Sequence, residues 1–232
     1  MTVKNNDNEN KNKEALVEYV AEDGTNVKLT PAAVKDYIAG NSKITNQEFV
    51  LFASLCKARK LNPFTKEAYL IKYGENPAQM VVSKDAILKR AVLHPKYDGK
   101  ESGIIVSIRD EVKEIEGCFL PPNATLLGGW CKVYRKDRSH PEYMSVSLDE
   151  VMQKKSNGEA NLSWATKPAT MVEKVAKVRA LREAFVDELA GMYDADELKN
   201  ETAYQPINES TNQIDPLEDD SNDVIDVDIN EI

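Results

Sequence analysis

Residues 164–194 read WATKPATMVEKVAKVRALREAFVDELAGMYD, from Trp164 to Asp194. From Pro168 on, the spacing predicts a single amphipathic helix of about six turns at ~3.6 residues per turn. Pro168 suits the first turn, where its missing N–H costs nothing, and Gly191 suits the exit. At roughly 100° per residue, Met171, Val175, Val178, Leu181, Phe185 and Leu189 fall along one apolar stripe. Lys174 and Arg182 project into that stripe, and Lys177 and Arg179 flank it. A charge on a core-facing stripe is costly unless it meets a counter-charge or a watered cleft. Two readings follow. Either the pair snorkels past the core edge or meets a carboxylate, or it floors an anion-binding groove.

The chain outside this helix is ordinary in composition, with 232 residues, 41% hydrophobic and 30% charged, enough for a core in one large domain or two small ones. No apolar run approaches the ~20 residues that span a membrane, and MTVKNNDNENKNKEA at the start has no apolar signal core. Cys56, Cys118 and Cys131 are widely spaced and without a CxxC pair, as expected of reduced thiols in a cytosolic protein. With only His94 and His140 beside them, a zinc site has little to draw on. The net charge of −9 is uneven. Residues 200–232 hold ten Asp or Glu and no Lys or Arg, so subtracting their −10 leaves the first 199 residues at +1. Within that body, Lys57 to Lys100 holds ten basic and four acidic residues, and Lys154 to Arg182 seven and two. Two basic segments on a near-neutral body can make a local anion-binding surface.

Periodicity divides the body into short elements. Residues 1–14, rich in Asn and Lys, are expected to be disordered, and 14–22 and 26–29 are open between strand and helix. Thr30-Pro31 starts a helix over about 31–39, and Thr45 with Glu48 has the form of a capping box for a helix to about Arg59. A turn at 61–66 leads to a hairpin of 68–73 with 79–82, and Ser83 caps a helix over 84–93 that His94-Pro95 ends. After a turn at 95–99, a second hairpin is expected from 103–108 with 112–119, and a third from 130–135 with 143–148. The expected fold class is therefore α+β, short hairpins packed with helices and one long C-terminal amphipathic helix lining a basic groove. A single domain would span 15–198. Residues 199–232 would form a disordered acidic tail, whose last stretch alternates apolar and acidic residues as a solvating end, a docking motif or an occupant of the groove.

A search for an active site finds no GxxxxGK[ST] cradle, no GxGxxG after a strand and no GxSxG elbow. Glu111 and Lys113, near Asp110, loosely match the carboxylate–lysine element of metal-dependent nucleases, but sit at a hairpin tip where a solvated turn explains them. The basic segments offer more. Lys66 lies beside Phe64 and Tyr69; Lys84, Lys89 and Arg90 share a helix; Arg135, Lys136 and Arg138 crowd one turn. Cations in turns and at helix starts suit phosphates, and nearby aromatics can stack on bases.

Three blocks in order then carry a resemblance. The first is Leu61-Asn62-Pro63-Phe64-Thr65-Lys66-Glu67-Ala68-Tyr69 with Val81-Val82, Asp85, Pro95 and Tyr97-Asp98-Gly99. The second runs from Val133 to Pro141, VYRKDRSHP. The third is Trp164, Lys167-Pro168, Met171, Lys174, Arg182, Ala184-Phe185 and Gly191-Met192-Tyr193-Asp194. Over roughly residues 45–197 the chain resembles the phage single-strand annealing proteins of the Bet/RecT group. The pattern is not met everywhere. Lys60 stands where the family has Gly, Ser83 and Ala86 replace two further glycines, and Ala169-Thr170 replaces a basic pair.

The resemblance implies recombination without catalysis or cofactor: binding of single-stranded DNA, ATP-independent annealing through a duplex intermediate, and assembly into homo-oligomeric rings or helical filaments. It implies as partners a phage 5′–3′ exonuclease and the host single-strand-binding protein, and it implies no membrane. Lys66, Lys174 and Arg182 match basic positions of the family, with Lys167-Pro168 at its basic neighbourhood. The full set of expected DNA contacts is Lys66, Lys89, Arg90, Arg135, Arg138, Lys167, Lys174, Lys177, Arg179 and Arg182. A helical C-terminal domain known in the family is expected to be missing, with the acidic tail in its place. The rivals are a passive single-strand-binding or docking module and a nuclease built on Glu111 and Lys113.

Overall fold

The computed structural model describes residues 16–39, 43–72, 76–155 and 157–198. The expected disordered ends, 1–14 and 199–232, lie outside these.

The first open stretch is a hairpin, with β1 (Val17–Val20) antiparallel to β2 (Asn26–Leu29). Thr30 accepts the Ala33 N–H at 3.1 Å and so caps α1 (Pro31–Ala33), which widens into a π-helical turn at Val34–Ile38. The capping box is present in α2 (Asn46–Ala58). Thr45 Oγ1 accepts the Glu48 N–H at 3.2 Å, and the Glu48 carboxylate accepts the Thr45 N–H at 2.7 Å. Phe49, Phe52, Ala53 and Cys56 bury its inner face, and the Tyr19 hydroxyl ties β1 to this unit by donating to the Leu61 carbonyl at 2.7 Å.

Asn62 then caps a 3₁₀ turn, Pro63–Thr65, and Lys66 leaves it in the left-handed region at φ 63°. The expected hairpin follows as β3 (Ala68–Ile71) with β4 (Gln79–Val82), and Ser83 caps α3 (Lys84–Leu93) by accepting the Ala86 N–H at 3.2 Å.

The next two hairpins merge. β5 (Tyr97–Ile108) pairs with β6 (Glu111–Glu116) on one side and β7 (Thr125–Arg135) on the other, and β7 with β8 (Glu142–Ser147). The result is one antiparallel sheet in the order β6-β5-β7-β8. Three expected boundaries are corrected. β5 starts at Tyr97, inside the expected turn, because Tyr97 pairs with Arg135 across an irregular register. β6 stops at Glu116, since Gly117 takes φ 77°, and β7 begins five residues early, at Thr125.

After α4 (Leu148–Val151) and α5 (Leu162–Thr166), Pro168 opens α6 (Pro168–Ala184). This helix packs across the sheet, chiefly on β7 and β8, with α3 and α5 also against it. Val172, Val175, Ala176, Val178, Ala180, Leu181 and Ala184 are all buried, so more than one stripe is covered. The contact with β7 depends on Gly129: a Cβ there would lie 2.6 Å from the Val172 carbonyl oxygen.

The single helix expected to reach about residue 192 is broken. Phe185 leaves helical geometry at φ −127°, ψ 51°, before α7 (Val186–Leu189), and a last turn forms α8 (Ala195–Leu198). The break seats the buried Phe185 ring 4.8 Å from His94 and 6.1 Å from Tyr97, between the end of α3 and the start of β5. Burial of so large a ring gains more than one continued helical hydrogen bond. Among the described residues no helix is long and apolar enough to cross a membrane.

Candidate nucleic-acid interface

The cations of α6 meet a row of carboxylates that the helix alone does not reveal. Beyond Gly191, at φ 76°, the chain turns back and lays Tyr193–Leu198 along α6. Lys174 Nζ lies 2.5 Å from Asp194 and 2.7 Å from Asp196. Arg182 donates from both terminal nitrogens to Glu197, at 2.9 and 2.6 Å, and its guanidinium lies 4.5 Å from the centre of the Tyr193 ring. Arg179 Nε is 3.9 Å from the same Glu197 carboxylate. Lys177 pairs instead with Glu173, four residues back at 2.5 Å, and Ser102 donates to that carboxylate at 2.6 Å.

The returning segment is anchored. Val82 N–H donates to the Tyr193 carbonyl at 2.8 Å, the Gln153 amide to the Ala195 carbonyl at 3.1 Å, and the buried Trp164 indole N–H to Asp196 at 3.4 Å. Burial, and then the Asp194 and Asp196 carboxylates, act in opposite senses on Lys174, and the carboxylates prevail, raising its pKa. For Asp194 burial prevails over Lys174 and the carboxyl is pushed up from its usual range. Both expectations for the stripe bear on this arrangement. The charges do find carboxylates, and they do so on one ridge with a solvent-facing side.

The other expected contacts are scattered. Lys66 and Lys167 are exposed and have no ion pair among the described residues. Lys66 borders an open groove of about 900 Å³ whose lining includes Tyr37, Pro63, Tyr69 and Lys89. Lys89 is held by Glu67 at 2.9 Å, which raises its pKa. Arg90 is half-buried, its Nη2 without a hydrogen-bond partner among the described residues, and desolvation lowers its pKa. Arg135 is spent on structure: it forks onto Asp137 at 2.8 Å through Nε and Nη2, donates to the Ala184 carbonyl at the end of α6, and stacks 5.0 Å from the Phe185 ring centre. Arg138 pairs with Glu142 at 3.2 Å on the surface. Glu111 and Lys113 pair with each other at 2.8 Å on the exposed start of β6.

The residues that sequence reasoning missed are Asp194, Asp196, Glu197 and Glu173. A sign was present. The acidic run Asp194-Ala195-Asp196-Glu197 comes three residues after Gly191, close in sequence to the cations of the helix, although the sequence does not give the direction in which the chain turns.

Two comparisons with known proteins bear on this surface. The pattern of the RecT family matches residues 25–211. The Recombination protein bet of Escherichia phage lambda is 26% identical over 184 residues, covering 76% of this chain and 62% of the relative. This chain therefore spans less than two thirds of the length of that relative. The family match takes in every element from β2 to α8, the α6 ridge and its carboxylates included, and on that match the chain belongs to the RecT family.

Proposed function

We propose that this chain binds single-stranded DNA and anneals complementary strands in phage recombination, without ATP and as a homo-oligomeric ring or helical filament. The observation that carries the reading is the family match over the α6 ridge, where Lys174, Arg179 and Arg182 gather on one face. The name of the phage lambda relative, a recombination protein, agrees with it.

In this reading Lys66 and Lys167, which have no ion pair among the described residues, bring whole charges to the backbone, and Lys174, Lys177, Arg179 and Arg182 form a ridge. Lys89, Arg90 and Arg138 extend the surface, and Arg135 supports it from beneath. Such cations neutralise phosphates and release counterions without reading sequence. Bases left facing outward sample a second strand, and each pairing step gains ~1.4 kcal/mol of stacking. A few tens of steps drive pairing without nucleotide hydrolysis. Oligomerisation lays many weak surfaces end to end. A 5′–3′ exonuclease would supply the single strand, and a host single-strand-binding protein would hand it over.

The test mixes labelled complementary strands with the protein, with and without ATP and Mg²⁺. Pairing that needs neither, with both strands recovered intact, is expected. Cleavage in the Mg²⁺ arm that Glu111→Ala abolishes would contradict the reading and favour a nuclease.

A further inference from the structure

Three cations of the α6 ridge, Lys174, Arg179 and Arg182, share one feature: each is more exposed than the carboxylates it pairs with. The Lys174 side chain is 23% exposed against 4% for Asp194 and 12% for Asp196. Arg182 is 15% exposed against 4% for Glu197, and Arg179 31% against the same 4%. A carboxylate competing with DNA for these cations would lie on their solvent side. Here the carboxylates are the more buried partners and the cations the more exposed ones.

The hydrogen bonds leave donors over. A guanidinium carries five N–H groups. Arg182 uses both N–H groups of Nη1, on Glu197 and on the Met192 carbonyl at 3.3 Å, and one of Nη2, again on Glu197. Its Nε–H and second Nη2–H have no hydrogen bond among the described residues and lie side by side on the edge that grips a phosphate bidentately. Lys174 spends two of its three N–H groups on Asp194 and Asp196 and keeps one.

We propose that Glu197, with Asp194 and Asp196, are positioning residues for nucleic-acid binding: they lock Arg182 and Lys174 into one rotamer with their unspent donors turned to a phosphate. This rests on the single-strand-binding reading above. A long cation otherwise loses side-chain entropy when it grips a phosphate. Held from below, it has already lost that freedom on folding, so the strand gains the contact without it. Glu197 also accepts the Asp194 N–H at 3.1 Å, so the carboxylates brace one another as well as the cations.

The test is a double-mutant cycle on Arg182→Ala and Glu197→Gln in the full chain. It reads binding of fluorescein-labelled oligo(dT) across a salt series, with thermal unfolding in parallel. Glutamine keeps the shape of Glu197 but turns an amide N–H against the guanidinium, so the fork is no longer held. Each single variant is expected to weaken binding about tenfold, the size of one charge-assisted contact. Each should lower the salt slope by roughly 0.7, the value for one phosphate on single-stranded DNA, and the double variant should bind no worse than Arg182→Ala.

A Glu197→Gln protein that melts lower but keeps its affinity and slope overturns the proposal, since the carboxylate then serves the fold alone. One that binds more tightly with a steeper slope also overturns it, by showing the carboxylate to be a competitor. Should that variant not fold, Asp196→Asn carries the test through Lys174, with weaker binding expected and unchanged or tighter binding overturning it. Wild-type protein that does not bind oligo(dT) would instead bring down the functional reading, and this proposal with it.

Discussion

Glu48 shows how much a single side chain can hold in this fold. Its carboxylate closes the cap of α2, accepts the Ala78 N–H at 2.7 Å and pairs with Lys72 at 3.0 Å, joining helix and hairpin. Burial resists its ionisation, but the Thr45 and Ala78 N–H groups and Lys72 outweigh that and lower its pKa to about 2. A folded-state pKa below the unfolded one stabilises at pH above the unfolded value and is lost as pH falls through the folded value. The stability difference between wild type and Glu48→Gln, followed by denaturant titration, should therefore be full at pH 6 and shrink as pH falls from about 4.5 to about 2. A difference that is the same at pH 3 and pH 6 would show that the carboxylate's charge has no part in it. At the same scale, Lys66 and Lys167 are exposed and unpaired among the described residues, and Arg135 is part-buried in a network. Lys66→Ala and Lys167→Ala should each lower the salt slope for single-stranded DNA by roughly 0.7 with no change in melting temperature. Arg135→Ala should lower the melting temperature, as loss of a partly buried charged network does.

Among the elements, the short helices and hairpins were legible wherever a cap or turn residue marked them. Thr30, Thr45 and Ser83 each cap as expected, because these hydrogen bonds are local and need no partner from elsewhere. The long helix was legible at its start and not at its end. Its apolar stripe continues through Phe185 and Leu189, so nothing local marks the break; the pocket formed by His94 and Tyr97 is distant in sequence, and it decides. The merger of two hairpins into one sheet was hidden for the same reason, since the β5–β7 pairing joins residues far apart. The candidate site divides along this line too. The cations were legible as charges out of place on a stripe, whereas their carboxylates lie on the far side of a turn whose direction periodicity does not give. The seat of α6 on β7 offers a direct check. Gly129→Ala sets a Cβ against backbone that cannot swing aside, and should cost about 1–3 kcal/mol in denaturant unfolding. An unchanged midpoint would mean that α6 can lift from the sheet freely.

For the molecule as a whole, charge is arranged against the net value. The −9 total is the sum of a near-neutral body and a −10 stretch at 200–232. Removing 200–232 should tighten binding to single-stranded DNA at low salt, through loss of long-range repulsion, and the gain should vanish at high salt as screening takes over. A gain that persists at high salt would point to direct occupation of the binding surface. The central claim, that the chain pairs strands and does more than coat them, is tested by order of addition. A donor-labelled strand is bound first, its acceptor-labelled complement is added without nucleotide, and the growth of energy transfer is timed against protein-free strands. The account predicts pairing faster than the protein-free rate. Binding of the first strand with no acceleration, or with slower pairing, would contradict it and leave a passive single-strand-binding protein.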